Sequence, residues 1–548
     1  CVQLFLLIQV ILNCVALQLS LPSDPSYYAG VVELPVQVGT PKERVSAAQD
    51  VYISIIESND TNDLDILVFP EYVLNNREVP TFVPHPQLNI TPCFEPDYEL
   101  FLVEISCAVR ARRLYVVLNL IEKELCGPSY GSSTWNPCPA NGVRFFNTNV
   151  VLDRDGRVVS RYRKTHLWRN EYKSHAVLQQ PELATFDTDF GVTFGHFICF
   201  DMLFYEPAMR LLLERNITDI IYPTYWFSEL PFLGAVQLQE GWAFANDINL
   251  LAADGSDPAG KTSGSGIYAG RHGRLAAGIF ETPTQRLFKA RVPKRGANYE
   301  LPPKVLPAFS PQLVTPRLTA LDTFRDYNVD IFETQLLAAD FVNATQRVCH
   351  ADFCCDFEVL RRLIGSSADL AAYRYRLGAY RGNETTLIRV DRSEQAVCAV
   401  FACTSDSLLS CGRLLPATAS VANQHYFERI RIAGVFPAAK RRLIMPSTLD
   451  GLMLPLDVAQ YKWSESPPQQ QLQNTLVSLE LTTPKNDLLT FGIWANYFTE
   501  LPSSHNLDHL QPPPVIAPVP VPAAPGGSSN NAAGCSICAA VSCFLFLL

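Results

Sequence analysis

Several short stretches of this chain are apolar almost without interruption. DILVFP (65–70), LYVVLNL (114–120), FGHFICF (194–200) and ITDIIYP (217–223) each run for about the length of a strand, and YYAGVVEL (27–34) has the same character. A strand with one wet face alternates apolar and polar residues, so a continuous apolar run implies layers on both faces. AVQLQEGWAFANDI (235–248) reads as a helix. The pattern predicts an α/β domain over residues 26–300. Pro293, Pro302, Pro303, Pro307, Pro311 and Pro316 then mark a loop-like connection, with the linker placed at 301–316. A second region, 317–505, carries short strand-like runs such as TTLIRV (385–390) and QAVCAV (395–400). Beyond it QPPPVIAPVPVPAAP (511–525) reads as an extended polyproline stalk within 506–530, rising about 3.1 Å per residue.

Composition excludes whole classes. Of 548 residues 48% are hydrophobic and 18% charged, which is incompatible with a disordered chain. A net charge of −10 with no Lys/Arg cluster argues against nucleic acid as a partner. Both ends read as targeting segments. VQLFLLIQVILNCVAL (2–17) resembles the apolar core of a signal peptide spanning 1–16, with its start missing and cleavage after Ala16. The other end, 531–548, closes on CSICAAVSCFLFLL after small residues, the layout of a GPI-anchor signal, with Asn530 as the expected attachment residue. Such a chain would sit on the outer leaflet of the plasma membrane, held by lipid. The sequons at Asn59, Asn89, Asn216, Asn343 and Asn383 agree with a secretory route.

Three segments of the first domain end apolar or alternating runs in groups capable of chemistry. VFPEY puts Glu71 just past a buried strand, SRYRKTHLW puts Lys164 after a segment that alternates like an edge strand, and FGHFICFD puts Cys199 at the close of an apolar run. Open α/β sheets collect their active groups at strand ends. A thiol, an ammonium and a carboxylate form a nucleophile, a stabiliser and a base. The ammonium is expected to lower the thiol pKa, and the carboxylate to take its proton. Taken singly, Cys199 reads equally as a buried thiol and Glu71 as a helix-start carboxylate. Lys164, beside Arg161 and Arg163, reads equally as part of a solvated edge.

In combination these motifs resemble the Glu-Lys-Cys triad of the nitrilase superfamily: FPEY with Glu71, YRKTHL with Lys164 and CFD with Cys199. The flanks TFDTDFG (185–191), YPTYWFSELPF (222–232), GWAFAND (241–247) and SGSGIYAG (263–270) are similar to the vanin and biotinidase branch, and most closely to the vanin-like proteins. The resemblance implies an αββα-sandwich hydrolase domain followed by a smaller β-rich domain. It implies hydrolysis of a small linear amide, pantetheine-like or biotinyl, through a cysteine thioester. Glu71 carries over as general base and acid, Lys164 as oxyanion stabiliser and Cys199 as nucleophile. Glu171, seven residues after Lys164, is a candidate supporting carboxylate. Trp226 and Tyr268 read as pocket lining or core, His166 and His196 as structural.

Outside the terminal segments the cysteines are Cys93, Cys107, Cys126, Cys138, Cys199, Cys349, Cys354, Cys355, Cys398, Cys403 and Cys411. Setting Cys199 aside leaves four in the first domain and six in the second, so five bridges and one free thiol are expected, with the pairing open. No cofactor is expected: there is no phosphate loop, and the histidines make no metal-ligand spacing. Two other readings stay open on sequence grounds. One is a catalytically idle surface protein that binds a ligand or an adhesion partner. The other is an acyltransferase, in which an amine resolves the thioester.

Overall fold

The apolar runs become strands buried on both sides, stacked in two sheets. The structure is a computed structural model that describes residues 19–127, 137–312, 315–365, 371–383, 393–416, 421–466 and 474–498. In chain order the first half comprises β1 (Ser26–Glu33), α1 (Pro41–Glu57), β2 (Ile66–Val68), α2 (Leu100–Arg112), β3 (Tyr115–Leu125), β4 (Val143–Leu152) and β5 (Val158–Arg163). There follow β6 (Thr185–Asp187), β7 (Thr193–His196), α3 (Arg210–Arg215), β8 (Asp219–Thr224), β9 (Glu229–Leu230) and α4 (Ala235–Asn246). The half closes with β10 (Asn249–Asp254), β11 (Ser265–Ala269), β12 (Arg274–Gly278) and β13 (Arg286–Pro293).

One sheet runs β13-β1-β2-β3-β4-β5 and the other β12-β11-β10-β8-β7-β6. At their centres β1, β2 and β3 are parallel, as are β10, β8 and β7. In β1 the residues alternate between two cores. Tyr27, Ala29 and Val31 enter the layer between the sheets with Ile66, Val68, Phe194, Ile221 and Leu251. Val32 and Leu34, with opposite parity or at the strand end, join Val45 and Tyr52 of α1 and Leu102 and Ile105 of α2. On the far side α4 covers the second sheet through Leu238 and Trp242. The result is the αββα sandwich that the resemblance implies, with the apolar runs as its doubly covered strands.

Among its described residues the second half is built of strands joined by loops and short 3₁₀ turns. Its two five-stranded antiparallel sheets are β15 (Glu333–Leu336), β18 (Arg374–Asn383), β19 (Ser393–Cys403), β24 (Leu488–Phe498) and β21 (Arg442–Asp450), against β16 (Asn343–His350), β17 (Phe353–Leu363), β20 (His425–Pro437), β23 (Asn474–Leu481) and β22 (Tyr461–Glu465). The remaining short strand, β14 (Phe324–Arg325), pairs with β9 of the first half. The halves also share a core, in which Trp242 and Phe232 lie with Phe332, Phe401, Met445 and Trp494. Buried hydrogen bonds cross the same boundary, from Gln237 Nε2 to Ser447 Oγ (2.9 Å) and from Asn496 Nδ2 to the Leu203 carbonyl (3.0 Å).

The bridges are Cys93–Cys107, Cys126–Cys138, Cys349–Cys354, Cys355–Cys398 and Cys403–Cys411, and Cys199 is free. Cys355–Cys398 ties β17 to β19 and so joins the two β-sheets of the second half. The segments 1–16 and 506–548, with Asn530, and the run TTLIRV lie outside the described residues. Among the described residues no helix is long and apolar enough to cross a membrane.

One expectation needs correction. FGHFICF was read as strand to Phe200, but β7 ends at His196 and a 3₁₀ turn begins at Cys199, whose φ of 47° leaves the β region. Lys164 likewise does not lie on a solvated edge. It follows β5, whose last residue, Arg163, is buried against Glu122 of β3 (Nε to Oε2 2.9 Å), with Arg161 also on Glu122 (3.1 Å). Burial alone would raise the Glu122 pKa, but the charges and hydrogen bonds of Arg163 and Arg161 outweigh it and hold it below the ordinary value. A depressed carboxylate adds stability above the unfolded pKa of about 4.3 and loses it as the pH falls through the folded value. Glu122→Gln is therefore expected to lower stability by about 3–5 kcal/mol at neutral pH, because it strands a buried guanidinium. Urea unfolding at pH 7 and at pH 3.5 checks this: the deficit should shrink at the acid value.

Candidate active site

The strand ends converge. β2 stops shortly before Glu71, β5 immediately before Lys164, β7 just before Cys199, β8 at Thr224 and β10 at Asp254. The segments beyond them bend sharply. Tyr72 (φ 63°), Arg169 (φ 46°) and Cys199 (φ 47°) all adopt left-handed conformations, which a non-glycine residue holds only under constraint from its surroundings. At Cys199 that constraint is visible. The Tyr222 hydroxyl donates to its carbonyl (2.8 Å), and Asp201 accepts from Ile198 N (3.2 Å) and the Tyr162 hydroxyl (2.7 Å). The other oxygen of Asp201 accepts from His166 N (2.8 Å), tying the turn after Lys164 to the turn that bears the thiol.

Glu71, Lys164 and Glu171 form one buried cluster. Lys164 Nζ donates to Glu71 Oε1 (2.7 Å) and to Glu171 Oε2 (2.9 Å). Glu71 also accepts from Asn147 Nδ2 (2.6 Å) and, at its second oxygen, from Tyr225 N (2.8 Å). Glu171 accepts from Asn147 Nδ2 (3.1 Å), from Trp168 N and from the Tyr72 hydroxyl. Every carboxylate oxygen of the pair thus meets a donor, the condition under which buried charge is tolerable. Cys199 Sγ lies 3.8 Å from the Tyr225 carbonyl oxygen and is 6% exposed.

Ionisation follows from this arrangement. Burial would lower the Lys164 pKa, but Glu171, Glu71 and Cys199 together push it well above the ordinary lysine value. Burial raises Glu71, and the charge of Glu171 adds to the rise against the opposing Lys164. Burial would raise Glu171 too, yet Lys164 and the Tyr72 and Trp168 donors carry it below the ordinary value. Cys199 is pushed well above the ordinary thiol, first by burial and then by Glu71, with Lys164 opposing. This reverses the expectation of a lysine-lowered thiol. Two carboxylates already neutralise the one ammonium, so the site is net negative before any thiolate forms. The resting group is S–H beside a strengthened base.

The other expected positions resolve as follows. His166 stacks on Phe204 with ring centroids 3.7 Å apart, and His196 lies 2.7 Å from Ser160 Oγ with its pKa pushed down to about 3 by burial. Tyr268 is fully buried, its hydroxyl on Gln239 Oε1 (2.8 Å), and Trp226 is held by the Leu233 carbonyl (2.9 Å). All four are core. Asn147 was missed, as was its support: Asn119 Nδ2 donates to Asn147 Oδ1 (2.7 Å) and Asn149 Oδ1 (3.1 Å). The signal was there, since Asn119 interrupts an apolar run and Asn147 and Asn149 share one face of β4, and a polar residue inside a doubly covered strand needs partners.

Comparison with known proteins agrees with this geometry. A carbon-nitrogen hydrolase family model matches residues 36–253, and a Vanin C-terminal domain model matches 321–501. The chain is 42% identical over 503 residues to Vanin-like protein 1 of Drosophila melanogaster, covering 88% of this chain and 87% of that protein. This chain belongs to the vanin branch of the nitrilase superfamily. It is a hydrolase of carbon–nitrogen bonds in amides, with cysteine-based chemistry. Vanin-like protein 2 of Drosophila melanogaster is 41% identical over 499 residues, covering 88% of this chain and 91% of its own length. A human pantetheine hydrolase is 31% identical over 359 residues, covering 65% of each chain.

The electrostatics make an unusual prediction. Because Glu71 raises the thiol pKa, Glu71→Gln should speed alkylation of Cys199 by iodoacetamide several-fold at pH 8. Lys164→Met removes the opposing charge and should slow it. Both rates are read by mass spectrometry of the Cys199 peptide; slower labelling of Glu71→Gln would contradict the charge balance.

Proposed function

We propose that the protein hydrolyses the amide of pantetheine, with Cys199 as nucleophile, Glu71 as general base and acid, and Lys164 as oxyanion stabiliser. The observation that carries this reading is the buried Glu71–Lys164–Glu171 cluster in electrostatic contact with Cys199, the one free thiol among the described residues. Cys199 Sγ attacks the amide carbon as its proton passes to Glu71. The carbonyl oxygen takes up the negative charge against the Lys164 ammonium and the backbone N–H that follows Cys199. Collapse breaks the C–N bond, and Glu71 returns the proton to the departing amine. Water, deprotonated by Glu71, then opens the thioester, releasing the acid and restoring the thiol. Glu171 acts by holding Lys164 charged and in place.

Pantetheine is preferred because it is what the human and pig relatives, a pantetheine hydrolase and a pantetheinase at 31% and 32% identity, are named for. A biotinyl amide is the second substrate considered. In this reading residues 26–300 form the catalytic domain, 301–316 the linker and 317–505 a β-rich domain. The same reading makes the protein a glycosylated surface enzyme, its signal segment removed and its chain lipid-anchored through Asn530. Five bridges suit an oxidising compartment, and the sequon residues Asn59, Asn89, Asn216, Asn343 and Asn383 are all exposed.

The test is amine release from pantetheine and from biocytin. Cysteamine release by the wild type is expected, abolished in Cys199→Ala and lowered about 10²–10³-fold in Lys164→Ala, the loss typical of one oxyanion donor. Turnover of biocytin alone would replace the substrate, and no release from either amide would favour the idle ligand-binding reading.

A further inference from the structure

Another buried acid, Asp254, lies within electrostatic reach of Glu71. Asp254 ends β10 directly opposite Thr224, the last residue of β8, and the chain beyond Thr224 carries the Tyr225–Trp226 peptide. Asp254 Oδ1 accepts from Trp226 N (2.9 Å), while its Oδ2 is buried with no hydrogen-bond partner among the described residues. That peptide is planar, so its N–H and C=O turn together. Its carbonyl is the Tyr225 oxygen 3.8 Å from Cys199 Sγ, and Tyr225 N is the donor that holds Glu71 Oε2. The Tyr225 ring lies against Gly255, where any side chain would collide with it. A single backbone segment therefore touches both the thiol and the base, and Asp254 fixes its orientation.

We propose that Asp254 is a positioning residue for amide cleavage, acting through the Trp226 N–H to set the Tyr225 main chain against Cys199 and Glu71. The inference rests on the catalytic roles proposed above. Its charge state follows from its neighbours. The groups facing it are Glu33 from β1, Glu71 beyond β2, Tyr222 of β8, Tyr225 and Tyr268 of β11. Glu33 is itself buried, held by Ser265 Oγ (2.6 Å), Ser263 Oγ and Gly264 N (3.2 Å), and pushed up to about 7. Burial, then the charge of Glu33, raises Asp254 well above the ordinary aspartate. That rise favours the protonated carboxyl, whose Oδ1 accepts from the Trp226 N–H.

An amide imitates a neutral acid and a hydrocarbon does not. Asp254→Asn should keep kcat within about threefold of wild type with the acid limb of its kcat/KM profile unmoved. Asp254→Ala should lower kcat about 10–100-fold at nearly unchanged KM, the scale of a reacting group displaced by about 1 Å. If the alanine variant does not fold, Asp254→Leu, which keeps the volume and removes the acceptor, is read in the same way. Wild-type kcat in the alanine or leucine variant overturns the proposal. So does an asparagine variant as impaired as alanine, or one whose acid limb moves down in pH, since either result would require a carboxylate. Mass spectrometry of the wild type during turnover separates the two levels. An acyl group on a residue other than Cys199 overturns the underlying reading, whereas an acyl-Cys199 with a fully active leucine variant overturns only the role of Asp254.

Discussion

A lysine ammonium with almost no access to water is the constraint around which the rest is arranged. Lys164 is 2% exposed, and such a charge is stable only when paired and fully hydrogen-bonded. Two carboxylates provide that, and their excess negative charge has consequences. It keeps the ammonium protonated, and it adds to burial, the larger cause, in raising the Glu71 pKa and opposing a resting thiolate on Cys199. Under the proposed roles, a thiol kept neutral at rest ionises as its proton leaves for Glu71, and the new negative charge moves on to the substrate oxygen beside Lys164. The site is thereby matched to the reaction and not to the free enzyme.

The fold provides the precision this needs. Glu71 follows β2, whose Leu67 lies in one core and whose Ile66 and Val68 lie in the other, so that strand end is held from both faces. Beneath the cluster, the Arg163–Glu122 pair anchors the residue next to Lys164, and Asp201 couples the turns of Lys164 and Cys199. The second half packs α4 from outside, placing Trp494 and Phe401 in one core with Trp242. That shared core makes the β-rich half part of the support of the second sheet.

Much of this was legible in the sequence, for identifiable reasons. Continuous apolar runs announce doubly covered strands, and the even cysteine count outside Cys199 fixes how many bridges there are. Glu71, Lys164 and Cys199 were recognisable because they stand where apolar runs stop. What stayed hidden depends on distances across the fold. The sequence offers Glu171 as a candidate, but its tie to Tyr72, 99 residues away, has no sequence signature. Asp254 looks like an ordinary strand-end aspartate until Trp226 is seen against it. The thiol's ionisation differs in sign from the expectation because motif spacing shows a lysine near a cysteine and not the burial, nor the Glu71 charge, that raise the thiol pKa.

The most direct measurement is the mass of the Cys199 peptide from wild-type enzyme acid-quenched while turning over pantetheine. The account predicts a pantothenoyl increment on Cys199 that disappears on treatment with hydroxylamine. Cleavage of pantetheine with Cys199 unmodified, or with the acyl group on another side chain, would contradict it.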